Sequence, residues 1–158
     1  MTDPAHADAL HALNADGPLR GRIREIHWAV RSFLPFVARV AVALYDPKTT
    51  CLKTFVHSSD GDDPLPHCQA PLGEVPSLKR LLDEKRPRVI QSMLTFETPE
   101  SEHARRLGRA GYAASYTMPV FSSGTFLGFV FFNSRQSDVF TETALAQLDI
   151  FGHLVSLL

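Results

Sequence analysis

Nucleophilic chemistry in this sequence would depend on Cys68, which follows His67 in the stretch LPHCQ. A histidine next to a cysteine can stabilise the thiolate and so make the thiol reactive. A second thiol, Cys51, would permit thiol–disulfide exchange if the two cysteines could meet. The His–Cys dipeptide stands alone in a segment that is typical of a loop, so we interpret both of its residues as ordinary loop residues.

Metal-binding spacings are missing from the sequence. His57, His67 and Cys68 lie close together, yet they form neither an HxxxH nor a CxxC pattern. The segment DGDDP starts like a calcium loop, but Pro64 interrupts it and no glutamate closes it. We therefore predict no metal site, and no residue pattern identifies a cofactor.

Two arginines and a set of aromatic and small polar residues point to ligand binding. Arg105 and Arg109 are four residues apart on a predicted helix and share one of its faces. If that face points inward, the pair would bind a carboxylate or phosphate; if it points outward, the charges are simply solvated. The predicted ligand-binding residues are Ser92, Met93, Phe96, Arg105, Arg109, Ser115, Tyr116 and Phe131. The apolar members of this set fit a packed core equally well.

Helices and hairpins in mixed order must position these residues. The predicted order is helix, two strands, helix, strand, helix, two strands, helix. The predicted strands are FVARVAVALYD, CLKTFVHSS, RVIQSM, ASYTMPV and TFLGFVFFN, and residues 60–74 are predicted to form a loop. This mixture predicts an α+β sheet flanked by helices.

The first and last long helices have different patterns. In GPLRGRIREIHWAVRSFL one apolar stripe predicts packing against the sheet and the last helix, and the preceding HADALHAL predicts two further helical turns. The last helix, TETALAQLDIFGHLVSLL, has Thr141 as its predicted cap. Its apolar residues occupy two faces, and one sheet cannot cover both. A second copy of the chain is the expected cover, which predicts a homodimer.

Composition excludes several classes of protein. The 158 residues allow one domain, and 16 Lys and Arg against 17 Asp and Glu leave a net charge of -1. That balance gives no overall field for nucleic acid. No apolar run is long enough to span a bilayer, and the amino terminus lacks the pattern of a secretion signal. With too few cysteines for a disulfide framework, the chain is expected to be cytoplasmic.

Several segments together resemble the GAF domain, a sensory relative of the PAS fold. They are VARVAVALYDPKTTCLKTFVHSS, PSLKRLLDEKRPRVIQSM, GYAASYTMPVFSSGTFLGFVFFNS and FTETALAQLDIFGHLVSLL. The resemblance implies an antiparallel sheet of about six strands, with a ligand pocket on one face and the terminal helices on the other. It assigns residues 19–158 to the domain and residues 1–18 to a partly helical extension. The sequences of these segments also resemble those of GAF modules joined to HD-GYP phosphodiesterases, although no HD-GYP motif is present.

Three specialised kinds of GAF domain fit the sequence poorly. The cyclic-nucleotide signature would need a lysine where Ser134 stands and an acidic pair where Ala144 and Leu145 stand. Bilin-binding members have the cysteine before the histidine, whereas here the order is reversed. Cysteine-based redox members carry a richer cysteine context than Cys51 and Cys68 provide.

The sequence therefore predicts a regulatory module, not an enzyme. A small molecule would bind in the pocket, and the terminal helices would pass the signal to an output domain in a longer protein. The ending at Leu158, without a cap or polar tail, fits a domain cut from such a chain. The alternatives are a ligand-free dimerisation or interaction module and, less favoured, a bilin-binding or cysteine-based redox domain.

Overall fold

Antiparallel strand pairing organises the chain. The computed structural model describes residues 6–60, 70–92 and 102–158. Its strands are β1 (Val37–Asp46), β2 (Cys51–Ser59), β3 (Ala70–Pro71), β4 (Arg88–Ile90), β5 (Ala114–Ser122) and β6 (Thr125–Ser134). Its helices are α1 (Leu19–Phe33), α2 (Pro76–Glu84), α3 (Glu102–Arg109) and α4 (Glu142–Val155).

The described strands form one six-stranded sheet in the order β3-β2-β1-β6-β5-β4. Every neighbouring pair is antiparallel, so the predicted α+β fold is confirmed. Strand β3 lies inside the segment that the sequence predicted to be loop. Its two residues pair with Cys51 and Leu52, and a strand this short shows no alternation that a sequence could reveal.

Alternation along the central strands gives the sheet two chemically different surfaces. The helix face packs against α1 and α4 and carries Val40, Val42, Tyr116, Met118, Val130 and Phe132. The second face carries Arg39, Ala41, Ala43, Ser115, Thr117, Phe129, Phe131 and Asn133. The apolar part of the second face packs against Leu78 and Leu81 of α2.

Helix α1 is attached to the sheet by apolar packing and by one histidine. Ile23, Ile26 and Val30 are fully buried against the helix face. Between them, His27 donates from Nε2 to the Val37 carbonyl oxygen at 2.9 Å. Its Nδ1 then accepts from Ser58 Oγ at 2.8 Å. The apolar stripe therefore packs as predicted, with a buried polar link at its centre.

Helix α4 begins where the sequence predicted. The Thr141 side chain accepts a hydrogen bond from the Ala144 backbone nitrogen, which caps the helix. At Gly152 the helix approaches β5 so closely that an added Cβ would lie 2.4 Å from Met118 Sδ. The two-faced pattern is also confirmed, because Leu148 is buried while Ile150 is 70% exposed.

Strands β1 and β6 meet at a position that excludes a side chain. Gly128 has a φ of 150°, and a Cβ built there would lie 2.0 Å from the Ala43 carbonyl oxygen. Backbone in this conformation is rare for residues with a side chain. The absence of a side chain at Gly128 therefore allows β6 to pair with β1 next to the Ala43 carbonyl group.

Two expectations for other parts of the chain have different outcomes. Where HADALHAL predicted two helical turns, the structure has a 3-10 turn at His11–Asn14. None of the residues in this turn is buried, and a short helix without packing is marginal in water. The segment TFETPE, in which Thr98 and Pro99 are residue types that favour the start of a helix, lies outside the described residues. No helix in the described ranges has the length and apolar character that a membrane crossing requires.

Candidate functional site

A row of polar side chains crosses the second face of the sheet. Strand pairing places Arg39 of β1 opposite Asn133 of β6, and Asn133 opposite Ser115 of β5. Arg39 Nη1 donates to Asn133 Oδ1 at 2.8 Å, and Asn133 Nδ2 donates to Ser115 Oγ at 3.0 Å. Three strands thus contribute to one continuous hydrogen-bonded chain, which we call the polar row.

The polar row is buried. Arg39 and Asn133 have no exposed surface, and Ser115 is 3% exposed. Removing a charged guanidinium from water is costly unless hydrogen bonds compensate it. A domain that needed only a stable sheet would place an aliphatic residue at this position, as it does at Ala41. The polar row therefore contributes little net stability and gives this part of the sheet directional hydrogen bonding.

Apolar and polar groups meet next to this row. Thr117 lies opposite Phe131 in the β5–β6 pairing, one step along the second face from Ser115. Both side chains are buried. The Thr117 hydroxyl oxygen has no hydrogen-bond partner among the described residues. A mixture of aromatic surface and a few convergent polar groups is typical of small-molecule sites.

An arginine clamp holds the border of the second face. Arg135 follows β6 and binds both carboxylate oxygens of Asp60, from Nε at 3.1 Å and from Nη2 at 2.9 Å. It also donates from Nη1 to the Ala110 carbonyl oxygen at 2.6 Å and stacks 4.5 Å over the Tyr112 ring. The hydrogen bond from Arg135 lowers the pKa of Asp60. The clamp therefore joins the end of β2 to the turn between α3 and β5.

The structure separates the residues that the sequence predicted to bind ligand. Ser115 and Phe131 lie on the second face, and Ser92 is half-buried two residues after β4. Tyr116 lies on the opposite, helix face, where its hydroxyl donates to Asp149 of α4. Burial, followed by the contact with Asp149, raises the pKa of Tyr116. Its neighbour Ser115 therefore faces the candidate site while Tyr116 faces the helix.

The remaining predicted site residues do not join this group. Arg105 and Arg109 of α3 are both exposed, so the inward-facing pair that would bind an anion is not formed. Met93 and Phe96 lie outside the described residues, as do His67 and Cys68. Cys51 is buried, and its thiol donates to the Thr49 carbonyl oxygen at 3.4 Å.

Arg39 and Asn133 were not among the predicted binding residues, although one signal was available. In FVARVAVALYD a charged residue occupies an alternate position shared with Ala41 and Ala43. A charge at an inward position of a central strand indicates a special role. As for metals, no cluster of His, Cys, Asp or Glu that could hold an ion occurs in the described part of the chain.

Comparisons with known proteins agree with this architecture. The family model for the GAF domain matches residues 19–158. The fold is similar to the phycocyanobilin-bound GAF domain from a cyanobacterial phytochrome, with 17% identity, a TM-score of 0.67, and coverage of 94% of this chain and 88% of that one. It is also similar to the GAF domain/HD domain protein from Geobacter sulfurreducens, with 15% identity, a TM-score of 0.70, and coverage of 90% and 93%.

A third similar structure is the chromophore-binding domain of Stigmatella aurantiaca phytochrome P1. Identity is 17% and the TM-score is 0.66, with coverage of 95% of this chain and 57% of that one. At these identities the likeness concerns the fold alone. None of the curated proteins matches the chain in sequence.

Proposed function

Because this chain belongs to the GAF domain family, we propose that it is a cytoplasmic regulatory module that binds a small molecule on the second face of its sheet. The observation that carries this proposal is the buried polar row of Arg39, Asn133 and Ser115 beside the aromatic surface of Phe131. The module has no catalytic role in this proposal. Its output is a change in the terminal helices.

Strand β5 supplies a short route for such a signal. Ser115 and Thr117 face the candidate ligand site, and Tyr116 between them donates a hydrogen bond to Asp149 of α4. A ligand that shifts β5 therefore acts on a residue directly bonded to the last helix. The ligand would favour one arrangement of α4 over another, which is a population shift between two states of the module.

The terminal helices offer a surface for a second copy of the chain. Large apolar side chains are exposed on both helices, at Trp28 (60%) and Phe33 (60%) of α1 and at Ile150 (70%) of α4, and also at Leu157 (78%) just after α4. Phe33 also contacts Phe151 of α4, so the two helices contribute to one patch. We assign this patch to a homodimer, with α4 leading into an output domain of a longer protein. The resemblance to a GAF/HD protein supports this arrangement.

A ligand-free dimerisation module is the second candidate. The same exposed apolar patch on α1 and α4 favours it, since dimerisation needs no pocket. The two candidates differ at the polar row, which contributes little to a module that only dimerises. Occupancy of the second face therefore separates them.

Native mass spectrometry of the freshly purified protein tests the proposal. We expect a mass excess that disappears on denaturation, because the ligand is held without a covalent bond. Ser115→Ala removes the hydroxyl that accepts from Asn133 and should reduce the excess, whereas Ser122→Ala, at the exposed end of the same strand, should leave it unchanged. A clean dimer without any excess would favour the dimerisation module. An excess that survives denaturation would indicate covalent attachment and contradict the proposal.

A further inference from the structure

We propose that the second face binds an anionic oxygen group, a carboxylate or a phosphate, through Arg39, with Thr117 as an additional donor. This inference rests on the proposed function and specifies the chemical class of its ligand. In this inference the anion-binding group is Arg39 of the sheet, in place of the predicted pair Arg105 and Arg109. Both residues of that pair are exposed, which suits them poorly for a buried ligand.

The first argument is that hydrogen bonds already hold the Arg39 side chain in one conformation. Asn133 holds one edge of the guanidinium through the 2.8 Å bond from Nη1, and Ser115 in turn orients the Asn133 amide. A guanidinium is planar, permanently charged and shaped to pair with carboxylate or phosphate oxygens. Because its side chain is already ordered by two neighbouring strands, binding an anion costs little additional conformational entropy.

The second argument is the hydroxyl of Thr117. Thr117 is fully buried, and its Oγ1 has no hydrogen-bond partner among the described residues. A buried hydroxyl without a partner costs free energy that a bound acceptor would recover. Thr117 lies on the same face as Arg39 and next to Ser115 along β5. We infer that an anion bound by the guanidinium on this face also accepts from this hydroxyl.

The third argument is the low polarity of the surroundings. Ala41 and Phe131 flank the polar groups, and both are buried. An ionic hydrogen bond is much stronger in such an environment than at the surface. A single buried arginine therefore suffices for an anchor, while Phe131 and Ala41 present apolar surface to the remainder of the ligand.

The test uses the whole chain and two simple probes, inorganic phosphate and acetate. The urea midpoint of unfolding is measured against probe concentration, with chloride at matched ionic strength as the reference. A ligand that binds only the folded state raises the midpoint and approaches a defined binding curve. A saturating rise with phosphate alone assigns a phosphate-bearing ligand, and a saturating rise with acetate assigns a carboxylate. A rise that never saturates is the general effect of an excluded salt and contradicts the inference. If neither probe raises the midpoint above that in chloride, the inference is wrong.

Variants locate the binding site. Thr117→Val keeps the shape of the side chain and removes the hydroxyl, so we expect about tenfold weaker binding of the active probe. Arg39→Gln should abolish the effect, and if that variant fails to fold, Thr117→Val alone decides. The matched controls are Thr125→Val, exposed on β6, and Arg105→Gln, exposed on α3. An unchanged affinity in Thr117→Val, or a loss of binding in Arg105→Gln, would overturn the assignment.

This outcome is independent of the test of the proposed function. A neutral molecule released on denaturation in the mass spectrometer would leave the sensory role intact and refute the anionic ligand. A protein that carries and binds no small molecule at all would refute both.

Discussion

The two faces of the sheet are formed by the same strands but differ in chemistry: one is apolar, and the other contains a buried row of polar side chains. On the helix face, residues such as Val40, Val130 and Phe132 pack against α1 and α4, and apolar contacts dominate. On the second face, adjacent positions carry Arg39, Asn133 and Ser115. Apolar burial yields stability with little directional preference, whereas a buried hydrogen-bonded ion gives little net stability and strong specificity. The helix face thus stabilises the domain, whereas the second face is the one that we propose selects a ligand.

Phenylalanine truncation on each face provides the largest test of this comparison. Phe132→Ala removes a fully buried ring from the helix face and should lower the free energy of unfolding by about 3–5 kcal/mol. Phe131→Ala on the second face should cost measurably less, because its neighbours there include polar groups that water can solvate. Urea denaturation of both variants without ligand gives the comparison. Equal losses would mean that both faces are packed as one apolar core.

Gly152→Ala tests how tightly the helix face is packed. The new Cβ would meet Met118 Sδ at 2.4 Å, so α4 must move or the methionine must change rotamer. We expect a loss of about 1–3 kcal/mol in the free energy of unfolding. Gly108→Ala in α3 is the control, since nothing lies within 4 Å of its added Cβ. That variant should be neutral or slightly stabilising, and a Gly152→Ala protein as stable as this control would show a loosely packed α4.

His27 makes the stability of the helix face depend on pH. Burial lowers the pKa of His27 despite its hydrogen bond to Val37, so the unfolded chain binds the proton more readily. The contribution of His27 to the free energy of unfolding is therefore fully present above the unfolded pKa of about 6.5, and it is lost as pH falls toward the lower folded-state pKa. The slope is at most about 1.4 kcal/mol per pH unit for one proton.

Urea midpoints measured between about pH 8 and 5.5 check this dependence, in the wild type and in His27→Gln. The variant should lose most of the slope. A slope that persists unchanged in His27→Gln would assign the effect to another group.

The smallest expected change in stability concerns the hydrogen bond from Tyr116 of β5 to Asp149 of α4. Tyr116→Phe removes only the hydroxyl that donates to Asp149, so we expect about 1 kcal/mol of destabilisation. The more informative measurement is hydrogen exchange of α4, which should increase in Tyr116→Phe and remain unchanged in Tyr45→Phe, a ring on β1 that packs against Phe126. Equal protection of α4 in both variants would mean that the bond carries no signal.

The order of the elements could be predicted because alternation and helical stripes are local properties of the sequence. The cap at Thr141 and the two faces of α4 were recovered from the same local patterns. Before Gly17, where the sequence indicated two helical turns, the structure has a 3-10 turn at His11–Asn14.

The candidate site could be predicted only in part, because it depends on pairing between distant strands. Ser115 and Phe131 were recognised by residue type, but Arg39 meets Asn133 across 94 positions of sequence, and no local pattern reveals that pairing. Alternation alone would have separated Ser115 from Tyr116. The exposure of Arg105 and Arg109 depends on how α3 is rotated, which a helical stripe of charges does not specify.

The arginine clamp also has a kinetic consequence. Arg135 and Asp60 are 75 residues apart, and Arg135 follows directly on β6, so their ion pair can form only after the β1–β2 hairpin has docked against β6. We expect contacts that form this late to be absent from the folding transition state. They change the rate of unfolding and leave the rate of folding almost unaltered. The clamp is therefore expected to lengthen the lifetime of the native state, and it would protect the domain from forced unfolding or proteolysis more than its small equilibrium contribution indicates.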